Sequence, residues 1–324
     1  MHYRRLGRTG FEVSQVGHGA WGLGGGQWLG GSDEESVAAL KASMVAGVNF
    51  IDTALAYGAE DGHSEKLVAL AVSEAGDEVF IATKVPPKNR IWPARSATGI
   101  EDVFPYDYII QCTETSLRNL NVPVIDLQQL HVWNPEWIDR DEWKRAIEDL
   151  KQSGKVRAFG ISINDHQPDS AIGIINTGLI DTVQVIYNIF DQSAAKTLFP
   201  LCVEKDIGVI ARVPFDEGAL TGRVTPKSTF EANDFRATYF RGDRLAEVEQ
   251  HVEALVADLG IHREGLATAA LRFVISEPAV ATVIPGMRSL SSVDANVRAP
   301  MLGPLPEAEL EIARRHAWDK NYYS

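Results

Sequence analysis

Four side chains that can hold or move a proton lie at the ends of three apolar, strand-like segments. Asp52 ends one segment, Tyr57 follows five residues later in DTALAYG, Lys84 ends the next segment in IATKV, and His131 ends a third in LQQLH. A tyrosine phenol has an ordinary pKa of about 10, which is too high for easy proton exchange at neutral pH. A lysine ammonium within hydrogen-bond reach would stabilise the phenolate and lower the pKa of Tyr57.

The other two groups complete this chemistry. A carboxylate beyond the lysine would keep the ammonium charged and aimed, and the imidazole of His131 would orient a carbonyl oxygen or share its proton. Each residue alone has an ordinary structural explanation, such as a capped turn, a loop anchor or a solvated cation. Together, the four groups can protonate a developing alkoxide, which the reduction of a carbonyl requires.

The elements that must position these residues alternate between strand and helix along most of the chain. Short runs rich in Val and Ile predict buried parallel strands, and eight such strands close a (β/α) barrel. Chemistry in these barrels lies at the carboxyl ends of the strands, so the four candidates are expected on one rim. The predicted strands are Ser14–Gly19, Val48–Thr53, Val79–Val85, Val124–His131, Val156–Ser162, Thr182–Asn188, Gly208–Val213 and Ala279–Pro285.

Amphipathic patterns between these strands predict eight helices, the first of which begins with a capping box at Ser32 and Glu35. The predicted helices are Asp33–Val45, Ser64–Glu74, Tyr108–Leu120, Arg140–Gln152, Gln167–Asn176, Ala194–Lys205, Arg263–Ser276 and Ser289–Val297.

Segments outside the repeat predict additions to the barrel. Tyr3–Val13 has the pattern of a short β-hairpin that closes the barrel bottom, and Pro86–Pro105 and Asp216–Asp243 are long loops of the kind that carry function. Leu245–Leu259 and Pro306–Arg315 predict two extra helices. The expected fold is therefore α/β, a (β/α)8 TIM barrel with an N-terminal β-hairpin and extra helices and loops at the rim.

Composition narrows the classes of protein that the chain can be. No linker or break in composition divides residues 1–324, which predicts a single domain. The net charge of −13 disfavours nucleic-acid binding, and no uninterrupted apolar stretch approaches the roughly 18 residues of a membrane span. Only Cys112 and Cys202 are present, and no metal-ligand spacing occurs, so we expect neither a disulfide nor a metal. The N-terminus lacks a secretory signal pattern, and a cytoplasmic protein is expected.

Motifs along nearly the whole chain resemble those of the aldo-keto reductase superfamily. They include LGRTGFEVSQVGHGAWGLGG, GVNFIDTALAYG, VFIATKV, SLRNLNVPVIDLQQLH, GKVRAFGIS, QVIYNIFDQ, PFDEGALTG and VIPGMRS. The resemblance implies a (β/α)8 barrel that reduces aldehydes or ketones with NADPH, less often with NADH. It also implies that Asp52, Tyr57, Lys84 and His131 form the catalytic tetrad, with Tyr57 as the proton donor.

The same resemblance implies a cofactor that lies extended across the top of the barrel. Ser162 and Gln184 would bind the nicotinamide carboxamide, and the PFDEGALTG segment would lie along the pyrophosphate. The residues implied as cofactor contacts are Trp21, Asp52, Ser162, Gln184, Arg212, Pro214, Gly218, Leu220, Gly286, Arg288, Ser292 and Asn296. Independently of the family, the GMRS sequence combines a glycine, an arginine and the start of a helix, and each of these features favours the binding of an anion. Arg288 stands where the 2′-phosphate would lie, so NADP(H) is predicted over NAD(H).

Two positions depart from the family pattern. Ile163 stands where Asn is common, although Asn164 follows it, and Arg212 stands where a Tyr usually stacks on the nicotinamide. A guanidinium can stack on a planar ring, and its charge would disfavour the oxidised, positively charged nicotinamide. The hypothesis is that Arg212 favours the reduced cofactor.

Other patterns are weaker. The GHGAWG sequence that begins at Gly17 matches the dinucleotide fingerprint, but no helix opens there, which argues against a Rossmann fold. His18 and His63 are expected to be packing or loop residues. Trp21, Trp28, Trp92, Trp133 and Phe190 lie in rim loops, where they would line a pocket mouth or cover the barrel.

The aromatic and charged segment Phe230–Asp243 is interpreted as a flexible lid, with a solvated loop as the alternative. Three functions then compete. The leading one is an NADPH-dependent carbonyl reductase acting on a small molecule. The alternatives are a nucleotide-binding regulatory subunit with slow turnover, and another barrel enzyme such as a sugar-phosphate isomerase, which would have no need of a Tyr–Lys pair.

Overall fold

Eight parallel strands form the central sheet of the computed structural model, which describes residues 1–76, 78–95 and 98–323. A separate antiparallel hairpin, β1 (Tyr3–Arg5) and β2 (Glu12–Ser14), precedes them. The strands of the central sheet, each paired with the next, are β3 (His18–Gly19), β4 (Phe50–Asp52), β5 (Phe80–Val85), β6 (Ile125–Leu130), β7 (Val156–Ser162), β8 (Thr182–Ile186), β9 (Gly208–Arg212) and β10 (Val280–Val283).

The first and last strands meet and close the sheet into a barrel. Parallel bridges join Val16 to Val283 and Gly19 to Gly286. A Cβ at Gly19 would lie 2.5 Å from the carbonyl oxygen of Ile284, so only glycine allows this approach. Gly19, in the sequence that resembles a dinucleotide fingerprint, therefore serves barrel closure, and the predicted (β/α)8 barrel is confirmed.

Helices surround the barrel and connect its strands. They are α1 (Asp33–Val45), α2 (His63–Val72), α3 (Ile100–Val103), α4 (Tyr106–Leu120), α5 (Asp141–Gln152), α6 (Ile172–Asn176), α7 (Leu198–Lys205), α8 (Phe235–Tyr239), α9 (Arg244–Leu259), α10 (Leu266–Ile275), α11 (Leu290–Arg298) and α12 (Glu307–Arg315). The capping box predicted at the start of α1 is present, with Ser32 and Glu35 exchanging hydrogen bonds. No helix among the described residues is long and apolar enough to cross a membrane.

The N-terminal hairpin seals the bottom of the barrel, as predicted. Leu6, Phe11 and Val13 are buried in one cluster with inward-facing strand residues such as Phe50 and Leu127. This small cluster is separate from the larger core that packs the helices onto the outside of the strands. The bottom of the barrel is therefore filled with apolar side chains, which leaves the opposite rim for polar groups.

Some predicted boundaries are wrong for identifiable reasons. The segment Ser14–Gly19 is not one strand, because Ser14 pairs within the hairpin, Val16 forms an isolated bridge to Val283, and the barrel strand itself spans His18 and Gly19. The long loop Pro86–Pro105 contains the short helix α3, and Asp216–Asp243 contains α8 together with a 3-10 segment. In the sequence these short helices have too few residues to show a 3.6-residue period.

His18 is a core residue, and its burial has a consequence for stability. The ring is fully buried against Ser43, and burial lowers its pKa to about 3. Below pH 6.5 the unfolded chain takes up a proton at His18 that the folded protein does not, so stability falls as pH falls. Between pH 7 and pH 5, we expect the wild type to lose about 2 kcal/mol more unfolding free energy than His18→Gln.

Urea unfolding of both proteins at the two pH values measures this difference. The comparison with the variant is needed because Glu217, whose pKa burial raises to about 7, works in the opposite direction. Equal pH dependence in the two proteins would contradict the assignment of a neutral, buried His18.

Candidate active site

The four predicted catalytic side chains meet at the carboxyl rim of the barrel. Asp52 and Lys84 end neighbouring strands, and the Lys84 Nζ donates to Asp52 Oδ1 at 2.5 Å and to the Thr53 carbonyl at 2.8 Å. The third partner of this ammonium is the Tyr57 hydroxyl, 3.3 Å away. Lys84 is fully buried and Asp52 is 2% exposed, so the charge of this lysine depends on its carboxylate partner.

Burial decides the protonation state of the phenol. Burial raises the pKa of Tyr57 above its ordinary value, and the lowering effect of the Lys84 charge does not cancel this. The prediction of a lowered pKa for Tyr57 is therefore wrong, because burial outweighs the effect of the Lys84 charge and the nearby Asp52 carboxylate raises the pKa further. For Lys84, burial is the largest single effect and lowers the pKa, but the charges and hydrogen bonds of Asp52 and Tyr57 together outweigh it and raise the pKa overall. The site at neutral pH thus holds a neutral phenol beside a fixed ammonium.

His131 lies beside this phenol as an uncharged ring. The Tyr57 and His131 rings are 5.5 Å apart in an edge-to-face arrangement, and Trp92 packs on the other side of His131 at 5.7 Å. Burial and then the charges of Lys84, Arg212 and Arg90 hold the pKa of His131 well below 6.5. A neutral imidazole can donate one hydrogen bond but is a poor acid, so the transferable proton of this site is the one on Tyr57.

A carboxamide network supports Asp52 from below. Gln184 Nε2 donates to Asp52 Oδ2 at 2.7 Å, and Gln129 Nε2 reaches the same oxygen at 3.3 Å. Gln129 was not predicted, although a glutamine two residues before His131 in a buried strand is a readable signal. The side chain of Gln184 thus belongs to the Asp52 network as well as to the wall of the cavity described next.

A cavity of about 1440 Å³ opens above these residues. Tyr57 and His131 line it, whereas the buried Lys84 lies behind its wall. Most of the predicted cofactor contacts line it as well: Trp21, Asp52, Ser162, Gln184, Arg212, Pro214, Gly218, Gly286, Arg288, Ser292 and Asn296. The structure does not bring Leu220 to the cavity, because its side chain is fully buried and its N–H donates to the Phe215 carbonyl.

One end of the cavity combines a helix N-terminus with a cation. A Cβ built at Gly286 meets no protein atom within 4 Å, so the space beside it is open to a ligand. The side chain of Ser292 closes the capping box of α11 with Ser289, and Asn296 reaches the Gly286 carbonyl at 3.5 Å. Arg288 donates to the carbonyls of Leu29 and Gly30, which ties α11 to the first loop of the barrel.

The loop after β9 is strained and is held by the C-terminal tail. Val213, Asp216 and Glu217 all have positive φ, which is costly for residues other than glycine. Lys320 forms a buried ion pair with Asp216 at 2.8 Å, and the Tyr323 hydroxyl donates to Glu217 at 2.6 Å. These contacts join residues about one hundred positions apart, and no local pattern in the sequence signals them.

The two departures from the family pattern have structural partners. The amide of Asn164 exchanges hydrogen bonds with the backbone of Ala94, so it holds the long loop after β5 in place. Arg212 Nη2 pairs with Asp165 Oδ1 at 2.7 Å and donates to the Ile163 carbonyl at 3.0 Å. Both Arg212 and Asp165 line the cavity, and Asp165 was not predicted.

The segment interpreted as a lid is joined to the first loop of the barrel. The Phe235 N–H donates to the Gln27 carbonyl at 2.8 Å, and the Leu29 N–H donates to Asp234 at 3.2 Å. Trp21 packs between Trp28 and Phe235, at 5.5 and 5.1 Å. The two loops thereby meet beside the cavity.

Of the five aromatic residues predicted at the rim, three line the cavity and two do not. The three are Trp21, Trp28 and Trp92. Trp133 is buried against Trp137 and Trp143, and Phe190 packs on Trp318, so these two cover the outside of the barrel. Among residues 1–76, 78–95 and 98–323, no group of three or more His, Cys, Asp or Glu could hold a metal ion.

Comparison with known proteins agrees with this geometry. Residues 15–317 match the model of the aldo/keto reductase family. The chain is 30% identical over 306 residues to the aldo-keto reductase YhdN of Bacillus subtilis, covering 91% of this chain and 87% of that protein. It is 25% identical over 327 residues to an NADH-specific methylglyoxal reductase of Escherichia coli, covering 96% and 97% of the two chains.

The solved structures include an aldo-keto reductase of Bacillus halodurans in its holo form, with a TM-score of 0.77 and 28% identity over 98% of this chain and 96% of that one. The fold and the site thus define a (β/α)8-barrel oxidoreductase that depends on NAD(P)H. The chain belongs to the aldo/keto reductase family.

Proposed function

We propose that this protein reduces an aldehyde or ketone to an alcohol, with NADPH as the hydride source and Tyr57 as the proton donor. The observation that carries the proposal is the neutral Tyr57 phenol on the cavity wall, 3.3 Å from the buried ammonium of Lys84. A group that must give up a proton at neutral pH is best kept protonated until an alkoxide forms, and a neighbouring cation then stabilises the phenolate.

The residues of the cavity fit a nicotinamide dinucleotide. The open space at Gly286, the N-terminus of α11 and the Arg288 guanidinium suit phosphate groups. We assign Ser162 and Gln184 to the carboxamide, Arg212 to the nicotinamide, Pro214 and Gly218 to the pyrophosphate, and Arg288, Ser292 and Asn296 to the adenosine end. When bound, the cofactor supplies the hydride.

The chain's own residues would do the remaining chemistry. His131, as a neutral ring, donates a hydrogen bond that orients the carbonyl oxygen toward Tyr57. The Tyr57 hydroxyl releases its proton to that oxygen, and Lys84 stabilises the phenolate that remains. Asp52, held by Gln184 and Gln129, keeps Lys84 charged and fixed in place. Trp21 and Trp92 give the cavity apolar walls that exclude water from the carbonyl.

A panel of small aldehydes tests the proposal. The purified protein is mixed with NADPH and each aldehyde, and the loss of NADPH absorbance is followed. Stoichiometric formation of alcohol supports the proposal. Binding of NADPH without turnover of any carbonyl, in either direction, would favour a nucleotide-binding regulatory subunit instead.

Removal of Arg288 tests the preference for NADPH. Arg288→Gln is expected to raise the KM for NADPH by about 10- to 100-fold, because a guanidinium–phosphate contact contributes roughly 1.5–3 kcal/mol. The KM for NADH, which lacks the 2′-phosphate, should change by less than about threefold, or about 0.7 kcal/mol.

Steady-state kinetics with both cofactors measures these values. Arg223→Gln is the matched control, since Arg223 is an exposed arginine that lines the same cavity. An equal rise in both KM values for Arg288→Gln would remove Arg288 as the residue that binds the 2′-phosphate.

A further inference from the structure

Arg212 and Asp165 form a fixed ion pair in the cavity wall. Arg212 is the last residue of β9, and its Nη2 is held at 2.7 Å from Asp165 Oδ1 and at 3.0 Å from the Ile163 carbonyl. The Arg212 side chain is 18% exposed and the Asp165 side chain is 21% exposed, and both line the cavity. The Nε of Arg212 is buried and has no partner among the described residues. The Nη2 of the guanidinium is thus anchored to the protein, while the exposed 18% of the Arg212 side chain remains open to the cavity.

The pair lies on the side of the cavity where the nicotinamide must be. A hydride donor has to approach the carbonyl carbon to about 3–3.5 Å, and the carbonyl oxygen must lie against Tyr57. Three consecutive strands that adjoin this point carry Ser162, Gln184 and Arg212, and Ser162 and Arg212 are the last residues of their strands. The Arg212 charge is close enough to lower the pKa of both Tyr57 and His131, although burial has the larger effect on each.

Hydride transfer changes the charge of the nicotinamide ring. The ring is neutral when reduced and carries one positive charge once the hydride has left with its electron pair. We propose that the Arg212–Asp165 pair sets the relative affinity of the protein for the two redox states. Arg212 disfavours the oxidised ring by repulsion, and Asp165 favours it by attraction. This inference rests on the proposed function, since it requires a nicotinamide in the cavity.

The two charges act with opposite signs, which makes the inference testable without any reaction. The dissociation constants of NADPH and NADP⁺ are measured at pH 8 by tryptophan fluorescence in the absence of a carbonyl substrate. The ratio of the dissociation constant of NADP⁺ to that of NADPH should fall about tenfold in Arg212→Gln and rise about tenfold in Asp165→Asn. Effects of this size are expected for unit charges a few ångströms apart in a partly screened site. In the double variant, which removes both charges, the ratio should return to within about threefold of the wild type.

Control variants separate this effect from a structural one. Arg212→Lys keeps the charge, so it should keep the ratio within about threefold even where it weakens the packing. Arg288→Gln removes an arginine from the other end of the cavity and should weaken both redox forms alike, leaving the ratio unchanged.

The inference would be overturned if the ratio of the two dissociation constants shifted in the same direction in both single variants, or if it shifted in neither. If the wild type binds neither form, the proposed function itself fails. Since binding alone is measured, that failure is distinguishable from a failure of the charge argument.

Discussion

Tyr57→Phe is expected to lower kcat for carbonyl reduction by about 100- to 10,000-fold, the range that a positioned general acid contributes. Among the described residues, the phenol of Tyr57 is the neutral acid that contacts the Lys84–Asp52 pair, whereas the neighbouring imidazole is held uncharged. Phenylalanine keeps the ring that packs edge to face against His131, so the shape of the cavity should survive. Stopped-flow measurement of NADPH oxidation with saturating aldehyde gives the chemical step directly.

Cofactor binding separates a chemical defect from a structural one. The affinity of Tyr57→Phe for NADPH should stay within about threefold of the wild type, because the hydroxyl interacts with Lys84 rather than with a phosphate. Tyr187→Phe is the matched control: it removes a hydroxyl from a buried tyrosine that packs on Phe199 and Phe273 outside the cavity, and full activity is expected. Activity of Tyr57→Phe near that of the control would overturn the mechanism.

Lys84→Met is expected to lower the free energy of unfolding by about 3–5 kcal/mol, in addition to abolishing reduction. The ammonium is fully buried, and its removal leaves the Asp52 carboxylate without its cation at a site that is 2% exposed. A buried charge without a partner costs far more than the pair contributes when both groups are present. Urea denaturation followed by circular dichroism measures the loss.

A double variant identifies the cause of that loss. Lys84→Met combined with Asp52→Asn removes the unpaired charge and should recover a substantial part of the stability, although the variant remains inactive. Lys41→Met is the control, since Lys41 forms an ion pair with Glu74 at the surface and should cost less than about 1 kcal/mol. A double variant that is less stable than Lys84→Met would show that packing, not charge, dominates at this site.

Local patterns were sufficient for the architecture and for placing the four candidate catalytic residues on one rim. Each strand is a short apolar run, and each βα unit returns the chain to the same rim, so Asp52, Lys84 and His131 could be assigned to one place from their positions at strand ends. Tyr57 could be assigned to the same rim, because it follows Asp52 by five residues and a chain segment of that length cannot extend to the opposite end of the barrel. The short helices α3 and α8 were missed, because they span too few residues to show a period.

Contacts between distant segments could not be predicted in the same way. Asp165, Glu217 and Tyr323 lie in the cavity wall because the end of β7, the loop after β9 and the C-terminal tail pack together. Trp133 and Phe190 follow strand ends, as Trp92 does, yet they are buried on the outside of the barrel. The direction in which a rim aromatic points depends on the helices packed around it.

The sequence by itself determined that this chain is a parallel barrel with a Tyr–Lys–Asp–His set at its carboxyl rim. That conclusion needed only the period of the chain and the residue types at strand ends, which are local properties. The tertiary structure alone decided the sign of the Tyr57 pKa shift and the pairing of Arg212 with Asp165. Both depend on how much water is excluded and on which charges from separate strands come within a few ångströms of each other, and these quantities exist only once the chain has folded.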